Sequence, residues 1–119
     1  MFKVEGTTIK LTRGDKAIIE FSIDNYTFVK NDKIKFKIYK KLALNQPPVF
    51  KKTIIIEKEQ TTMEIILTSE ETKIGIMSNR PITYWYEIEL NDNETPVGYD
   101  DDGATLLILY PEGADDNDV

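Results

Sequence analysis

The sequence predicts an all-β fold, an antiparallel β-sandwich of about seven strands. Segments in which apolar and polar residues alternate recur roughly every 8–15 residues, a spacing typical of sandwiches and barrels. The segment that offers the most aromatic surface for packing is residues 82–90. In it Tyr84, Tyr86 and Ile88 fall on one face and Trp85 and Glu87 on the other. This period of two indicates a strand with one buried face, around which we expect the other strands to be arranged.

Six further segments carry the strand pattern: residues 7–12, 17–23, 33–39, 49–57, 61–68 and 105–110. Turn-forming pairs separate the early ones, with Gly14–Asp15 after the first and Asn31–Asp32 before the third. The apolar run 54–56 predicts burial on both faces, and residues 91–96 predict a tight polar turn. We expect one core containing Ile19, Phe21, Phe36, Ile38, Ile65, Tyr86 and Ile88.

A short helical crossover is expected between the fifth and sixth strands, because Thr68 and Glu71 have the spacing of a capping box. Seven strands with such a crossover predict an immunoglobulin-like sandwich. In that fold a tyrosine near the start of the sixth strand often anchors the adjoining corner, and Tyr84 or Tyr86 suits this position. An ordinary role for both as core aromatics is an equal alternative.

Length and composition predict one sandwich domain over residues 1–112, followed by an acidic flexible tail over residues 113–119. The 119 residues include no cysteine and no histidine. Disulfides, thiolate metal sites and histidine-activated nucleophiles are therefore excluded, and we expect neither an enzyme nor a bound cofactor or metal. The first residues are charged and the longest apolar runs have the length of a strand, so we expect no secretion signal and no membrane span.

Charge is distributed unevenly along the chain, whose net charge is −6. Residues 1–29 are neutral, residues 30–58 carry +7 and residues 59–119 carry −13. If the last two segments lie on opposite sides of the domain, copies can meet head to tail. Because salt screens surface charges, we expect such self-association to weaken as salt is added.

The candidate interface comprises Trp85, Tyr99, Lys33, Lys35 and Lys37. Trp85 lies opposite two tyrosines in its strand, so an exposed Trp85 would mark a binding surface; the alternative places Trp85 in the core and the tyrosines outside. The three lysines favour partner docking or protection of a strand edge over nucleic-acid binding, because the aromatic residue between them points inward and the domain is acidic.

Three other motifs have ordinary structural explanations. The tripeptide Arg13-Gly14-Asp15 matches an integrin-binding motif, but glycine beside aspartate is what a hairpin turn requires. Residues 100–103, with Asp92 and Glu94, offer oxygens for Ca²⁺, yet their spacing departs from calcium-loop patterns and favours a solvated loop. Trp85, Tyr99 and Tyr110 are a candidate sugar-stacking platform.

Two stretches, residues 9–15 and residues 67–88, have the pattern of a strand-turn-strand unit and of a capped turn followed by a Tyr-x-Tyr-Glu strand. They resemble small bacteriophage and prophage tail domains, typified by the immunoglobulin-like N-terminal domain of the baseplate upper protein. Residues 9–15 with Ile19 and Phe21 resemble the first hairpin of that family. Residues 67–72, followed by Tyr-Trp-Tyr-Glu-Ile at 84–88, resemble its helical turn and next strand. The resemblance covers about half of the chain.

The resemblance implies a non-enzymatic structural or assembly protein of a tail, made in the bacterial host cytoplasm and incorporated into the virion. Other tail or baseplate proteins are its implied partners, with copies of itself as a further candidate. Baseplate upper proteins usually continue into a linker and further domains, whereas this sequence stops at residue 119. We therefore expect a free-standing assembly subunit. The alternative function is a stand-alone carbohydrate- or surface-binding module of the same fold.

Overall fold

The fold is known from a computed structural model that describes residues 2–40, 46–75, 77–100 and 103–112, with the backbone alone at residues 99 and 100. The strands in this part of the chain are β1 (Phe2–Glu5), β2 (Thr8–Thr12), β3 (Ala17–Phe21), β4 (Lys33–Tyr39), β5 (Phe50–Ile55), β6 (Met63–Leu67), β7 (Ile82–Leu90), β8 (Glu94–Val97), β9 (Tyr99–Asp100), β10 (Gly103–Ala104) and β11 (Leu106–Tyr110). All seven predicted strands are confirmed, as β2 to β7 and β11.

The strands form a large mixed sheet of seven strands and a small sheet of two. The large sheet has the order β1-β2-β11-β7-β4-β5, with β8 also paired to β7, and the small sheet pairs β3 with β6. A separate short ribbon joins β9 and β10. The architecture is all-β and resembles a sandwich, because residues of both sheets meet in one apolar cluster.

The predicted core is confirmed in full, since all seven of its residues are buried in this cluster. The alternation in β7 is also confirmed: Tyr84 and Tyr86 are buried, and Trp85 on the opposite face is half-buried. The Tyr86 hydroxyl donates a hydrogen bond of 2.5 Å to the Thr7 carbonyl oxygen. The Tyr84 hydroxyl lies over Gly75, where a β-carbon would approach it to 2.3 Å.

The prediction of a helical crossover was wrong. Thr68 and Glu71 do form the reciprocal capping bonds, at 2.9 and 3.2 Å. However, residues 68–72 form only turns, and no helix occurs in the described ranges. The Thr72 hydroxyl bonds to the carbonyl oxygens of Asp15 and Ser69, which ties residues 68–72 to the turn between β2 and β3. That turn joins the two sheets and is not a hairpin, because β2 lies in the large sheet and β3 in the small one. In the described part of the chain there is accordingly no helix long and apolar enough to span a membrane.

Four further expectations need correction. The strands are not all antiparallel, because β11 runs parallel to β2. The second strand ends at Phe21, before the predicted residue 23, and residues 91–96 are not all turn, since β8 begins at Glu94. The run 54–56 is not buried on both faces: Ile56 is buried but Ile55 is 50% exposed, because β5 lies at the edge of the large sheet. The predicted tail at 113–119 lies outside the described residues.

The side chain of Lys52 links the large sheet to the small one. Lys52 of β5 stands on the inward side, directly opposite Phe36 of β4. Its ammonium group donates to the carbonyl oxygen of Ile66 at 2.5 Å and to the Glu71 carboxylate at 2.8 Å. The pKa of Glu71 is lowered, mainly by the hydrogen bond from Lys52. An inward charge at a sheet edge discourages pairing with another chain, and here it also links the two sheets.

Candidate docking face

The outer face of the large sheet carries most of the predicted interface residues. We use "outer face" for the side turned away from the core, where β4, β7 and β11 lie side by side. Cross-strand pairing places Trp85 between Tyr39 of β4 and Leu106 of β11, so these three side chains form a row. Each of the three is half-buried. The row is continuous, and Ile108 extends it along β11.

A group of charged residues borders this apolar row on the same face. Lys37 lies opposite Glu87, and Lys35 opposite Glu89. The Lys37 ammonium group forms an ion pair with Glu89, one step along the neighbouring strand. The hydroxyl of Tyr39 donates a 2.8 Å hydrogen bond to Glu87. The acids of β7 are therefore held by residues of β4.

The turn between β7 and β8 completes the group. Asn91 and Asp92 adopt positive φ angles of 54° and 64°, which reverses the chain sharply. The Asn91 side chain accepts a 2.8 Å hydrogen bond from the backbone N–H of Lys33 and fixes the turn beside β4. The Asp92 carboxylate consequently lies 2.6 Å from the Lys33 ammonium group and 2.5 Å from that of Lys35.

These contacts shift the proton affinities of the groups involved. Hydrogen bonds from Lys33 and Lys35 lower the pKa of Asp92 to about 2. The hydrogen bond between Lys35 and Asp92 in turn raises the pKa of Lys35. Burial, followed by the hydrogen bond to Glu87, raises the pKa of Tyr39. All these shifts favour the protonation states found near neutral pH, so they describe a stable set of ion pairs and not a group prepared for proton transfer.

The charge polarity seen along the sequence is therefore not reproduced as two opposite sides. The lysine-rich strand β4 lies next to β7, whose acids belong to the −13 segment, and the opposite charges pair on one face. This arrangement could not be predicted from the sequence, because strand order within a sheet does not follow from charge counts. The cue that existed was the Glu-x-Glu spacing of β7, which matches the Lys-x-Lys spacing of β4.

Tyr99 and Tyr110 do not join Trp85 in a platform that the structure describes. Tyr99 pairs through its backbone with Ala104, while its side chain lies outside the described part. Tyr110 is on the outer face, but it follows Leu106, the neighbour of Trp85, by four residues. At about 3.3 Å per residue it stands roughly 13 Å away along the strand.

The other sequence motifs have structural partners. Asp15 donates a backbone hydrogen bond to the Thr12 carbonyl oxygen, and Gly14 has a φ of 90°, which confirms a turn. Within it, Arg13 forms a 3.1 Å ion pair with Glu112, so this side chain is not presented as an integrin ligand. Residues 101 and 102 of the candidate calcium loop lie outside the described residues. Among the rest, no three potential metal ligands come together.

A buried carboxylate supports the loop before β4. Asp32 accepts hydrogen bonds from the Tyr26 hydroxyl at 2.6 Å, the Val29 backbone N–H at 3.0 Å and the Asn91 amide at 3.1 Å. Burial alone would raise the pKa of this carboxyl, but the three bonds outweigh burial and lower it. Asn91 thus connects Asp32 to the turn that carries Asp92.

No family model, curated protein or solved structure matches this chain.

Proposed function

We propose that this protein is a non-enzymatic structural or assembly subunit of a phage or prophage tail, of the baseplate type, which acts by docking onto other tail or baseplate proteins. The observation that carries the proposal is the outer face. A row of half-buried apolar side chains, Tyr39, Trp85 and Leu106, is bordered by charges that already have partners. Protein interfaces have this composition, with aromatic residues at the centre and a polar rim.

The strand order supports the immunoglobulin-like part of the proposal. In the variable-type arrangement, one sheet contains strands in the order G-F-C-C′ and the facing sheet contains B and E. Here β11-β7-β4-β5 would correspond to the first set and β3-β6 to the second. The position of the Tyr84 hydroxyl over Gly75, in the connection before β7, suits a tyrosine corner.

A binding role also agrees with the state of the titratable groups. The described carboxylates with a lowered pKa, Glu5, Asp32, Glu71 and Asp92, are each held by hydrogen bonds from neighbouring protein groups. Such satisfied groups stabilise a fold and offer no free base or nucleophile at a substrate cleft. As a tail component, the protein would be made in the host cytoplasm and found in the virion.

The test is deletion of the gene from the phage or prophage that encodes it. Electron microscopy of the released particles should show defective tails, and mass spectrometry should find the protein in intact wild-type particles. Complementation with wild type should restore infectivity. Complementation with Trp85→Ala should restore infectivity to at most about one-tenth of the wild-type level. Truncation of a central aromatic residue at an interface costs about 2 kcal/mol of binding free energy.

Thr83→Ala serves as the matched control, since Thr83 is on the same strand and face but carries only a small, exposed side chain. It should complement like wild type. Intact, infectious particles from the deletion strain, with the protein absent from wild-type particles, would overturn the proposal.

The second candidate is a carbohydrate- or surface-binding module. The observation that favours it is an aromatic residue, Trp85, beside a carboxylate, Glu87, on the same strand, a pairing that suits a sugar ring and its hydroxyls. Binding on a glycan array that is lost in Trp85→Ala but kept in Thr83→Ala would select this function over tail assembly.

A further inference from the structure

The small sheet presents an acidic face that pairs like charges. On its outward side, Ile18 lies directly opposite Ile66, and Glu20 directly opposite Glu64. The two isoleucines are 41% and 40% exposed, and both glutamates are exposed. Like charges at directly opposed positions destabilise a strand pair. A partner that brings cations to this acidic face would remove that cost and cover the isoleucines.

The edge of the large sheet presents the complementary surface. The outward side chains of β5 and the residue before it are Val49, Lys51, Thr53 and Ile55, which we call the basic face. Val49 is 42% and Ile55 is 50% exposed. Lys51 lies directly opposite Lys37, a second like-charge pair of the other sign. Lys37 is neutralised by Glu89, whereas Lys51 forms no ion pair with any described residue.

The two faces share a pattern and point in opposite directions. Each combines exposed aliphatic side chains with exposed charges of one sign, Glu20 and Glu64 on one and Lys51 on the other. Each lies on the far side of its own sheet from the common core, to which Ile19 and Ile65 contribute from one sheet and Phe36 from the other. One copy cannot bring its own two faces together, but two copies can.

We propose that the acidic face of one copy docks onto the basic face of the next, with the isoleucines against Val49 and Ile55 and the glutamates against Lys51. The inference rests on the proposed function for its biological setting, a tail assembly built from repeated contacts. Because the contact joins two different surfaces, it propagates into a ring or an open chain. The apolar residues supply affinity, and the charges speed encounter and fix the orientation.

This contact differs from attraction between the +7 and −13 segments of the sequence. Glu20 belongs to the neutral first segment, and the lysines of β4 are occupied by acids of β7 and by Asp92. Three local residues, Glu20, Glu64 and Lys51, carry the complementarity instead.

Sedimentation velocity of the purified chain over a range of concentrations tests the proposal. Wild type should show concentration-dependent association that weakens as salt is added. Glu20→Lys with Glu64→Lys should weaken it at least about tenfold, since both faces are then basic. This variant replaces one like-charge pair by another, so its folding stability should change little. The control, Glu59→Lys with Glu94→Lys, changes the net charge equally at exposed sites outside both faces and should associate like wild type.

A charge exchange provides the stricter test. Lys51→Glu with Thr53→Glu makes the basic face acidic and should also abolish association. An equimolar mixture of this variant with Glu20→Lys/Glu64→Lys should recover association, because each kind of copy then meets the other. Wild type that stays monomeric at all concentrations, or a mixture that fails to recover, would overturn the proposal.

The same measurements separate this inference from the proposed function. Trp85→Ala should self-associate like wild type, because β4 separates Trp85 on β7 from the basic face on β5. Intact particles from the deletion strain would reject the tail function and leave self-association standing. Normal complementation by Glu20→Lys/Glu64→Lys, together with defective tails on deletion, would support the tail function and reject the contact between copies.

Discussion

The hydroxyl of Tyr26 donates a 2.6 Å hydrogen bond to Oδ2 of Asp32, and this bond joins the loop before β4 to a buried carboxylate. Asp32 has only 6% of its surface exposed, so the cost of desolvating its charge must be met by its hydrogen bonds. The same carboxylate reaches Asn91 through Oδ1. Asp32 therefore holds in place the turn that positions Asp92 on the outer face.

Replacing Tyr26 by Phe should lower the free energy of unfolding by about 1.5–3 kcal/mol at neutral pH, the range for a hydrogen bond to a charged group. The pKa of Asp32 is lowered in the folded protein, so this stabilisation is present above the unfolded pKa, near 4, and is lost as pH falls through the folded value. Urea denaturation at several pH values should show the difference from wild type shrinking in acid. A difference independent of pH would contradict this assignment.

Replacing Phe36 by Ala should lower the free energy of unfolding by about 3–5 kcal/mol, because the ring is fully buried and its removal leaves a cavity. The Phe36 ring also contacts Tyr86, with 5.7 Å between ring centroids. Thr53→Ala on the neighbouring strand is the control and should change stability by no more than about 0.5 kcal/mol. Urea denaturation measures both; equal effects would be inconsistent with the buried position of Phe36.

Two glycines provide a matched pair for backbone strain. Gly6 and Gly75 have φ angles of 61° and 65°, but a β-carbon meets nothing within 4 Å at Gly6 and lies 2.3 Å from the Tyr84 hydroxyl at Gly75. Gly6→Ala should lower the free energy of unfolding by about 1–2 kcal/mol, because alanine is strained in a left-handed backbone conformation. Gly75→Ala should lower the free energy of unfolding by roughly 1–3 kcal/mol more than Gly6→Ala, because its β-carbon would clash with the Tyr84 hydroxyl.

A double-mutant cycle checks the cause of that excess. Combining Gly75→Ala with Tyr84→Phe removes the hydroxyl and should recover most of the additional loss, whereas Gly6→Ala with Tyr84→Phe should be additive. Thermal or urea unfolding of the variants gives the coupling energy. Additivity at both glycines would mean that the Tyr84 hydroxyl is not what restricts position 75.

Asp92 should titrate near pH 2 when followed by NMR, because Lys33 and Lys35 lower its pKa to about 2. In the Lys33→Ala/Lys35→Ala variant the pKa should return towards the ordinary value of about 3.9. The ion pair therefore contributes stability above about pH 4 that is lost as pH falls towards 2. High salt should raise the wild-type pKa by screening. An unchanged pKa in the variant would exclude the lysines as its cause.

Strands and faces could be predicted from the sequence because they depend on local alternation. In β4 the pattern Ile34, Phe36, Ile38 inward and lysines outward was sufficient, and all three apolar residues are fully buried. The hydrogen bonds between Thr68 and Glu71 could likewise be predicted, from the spacing of the two residues. The helix did not follow, because the Thr72 hydroxyl bonds to the distant residue Asp15.

Relationships between strands could not be predicted, since they depend on sheet order. The ion pair of Lys37 with Glu89, the two like-charge pairs and the parallel pairing of β2 with β11 all join segments far apart in the sequence. Trp85 was correctly placed on the face opposite the tyrosines. Its neighbours, Tyr39 and Leu106, depend on the position of β7 between β4 and β11, which local alternation does not determine.

The position of β11 between β2 and β7 has a consequence for biosynthesis. Its residues pair with Ile9 and Leu11 on one side and with Tyr84 on the other, so a strand translated late fills an interior place in the sheet. Until residues up to 110 have left the ribosome, β2 and the first half of β7 have open edges. Such edges readily pair with other chains, and contacts between distant segments form slowly. A nascent chain stalled before β11 should therefore be more prone to aggregation than the released protein.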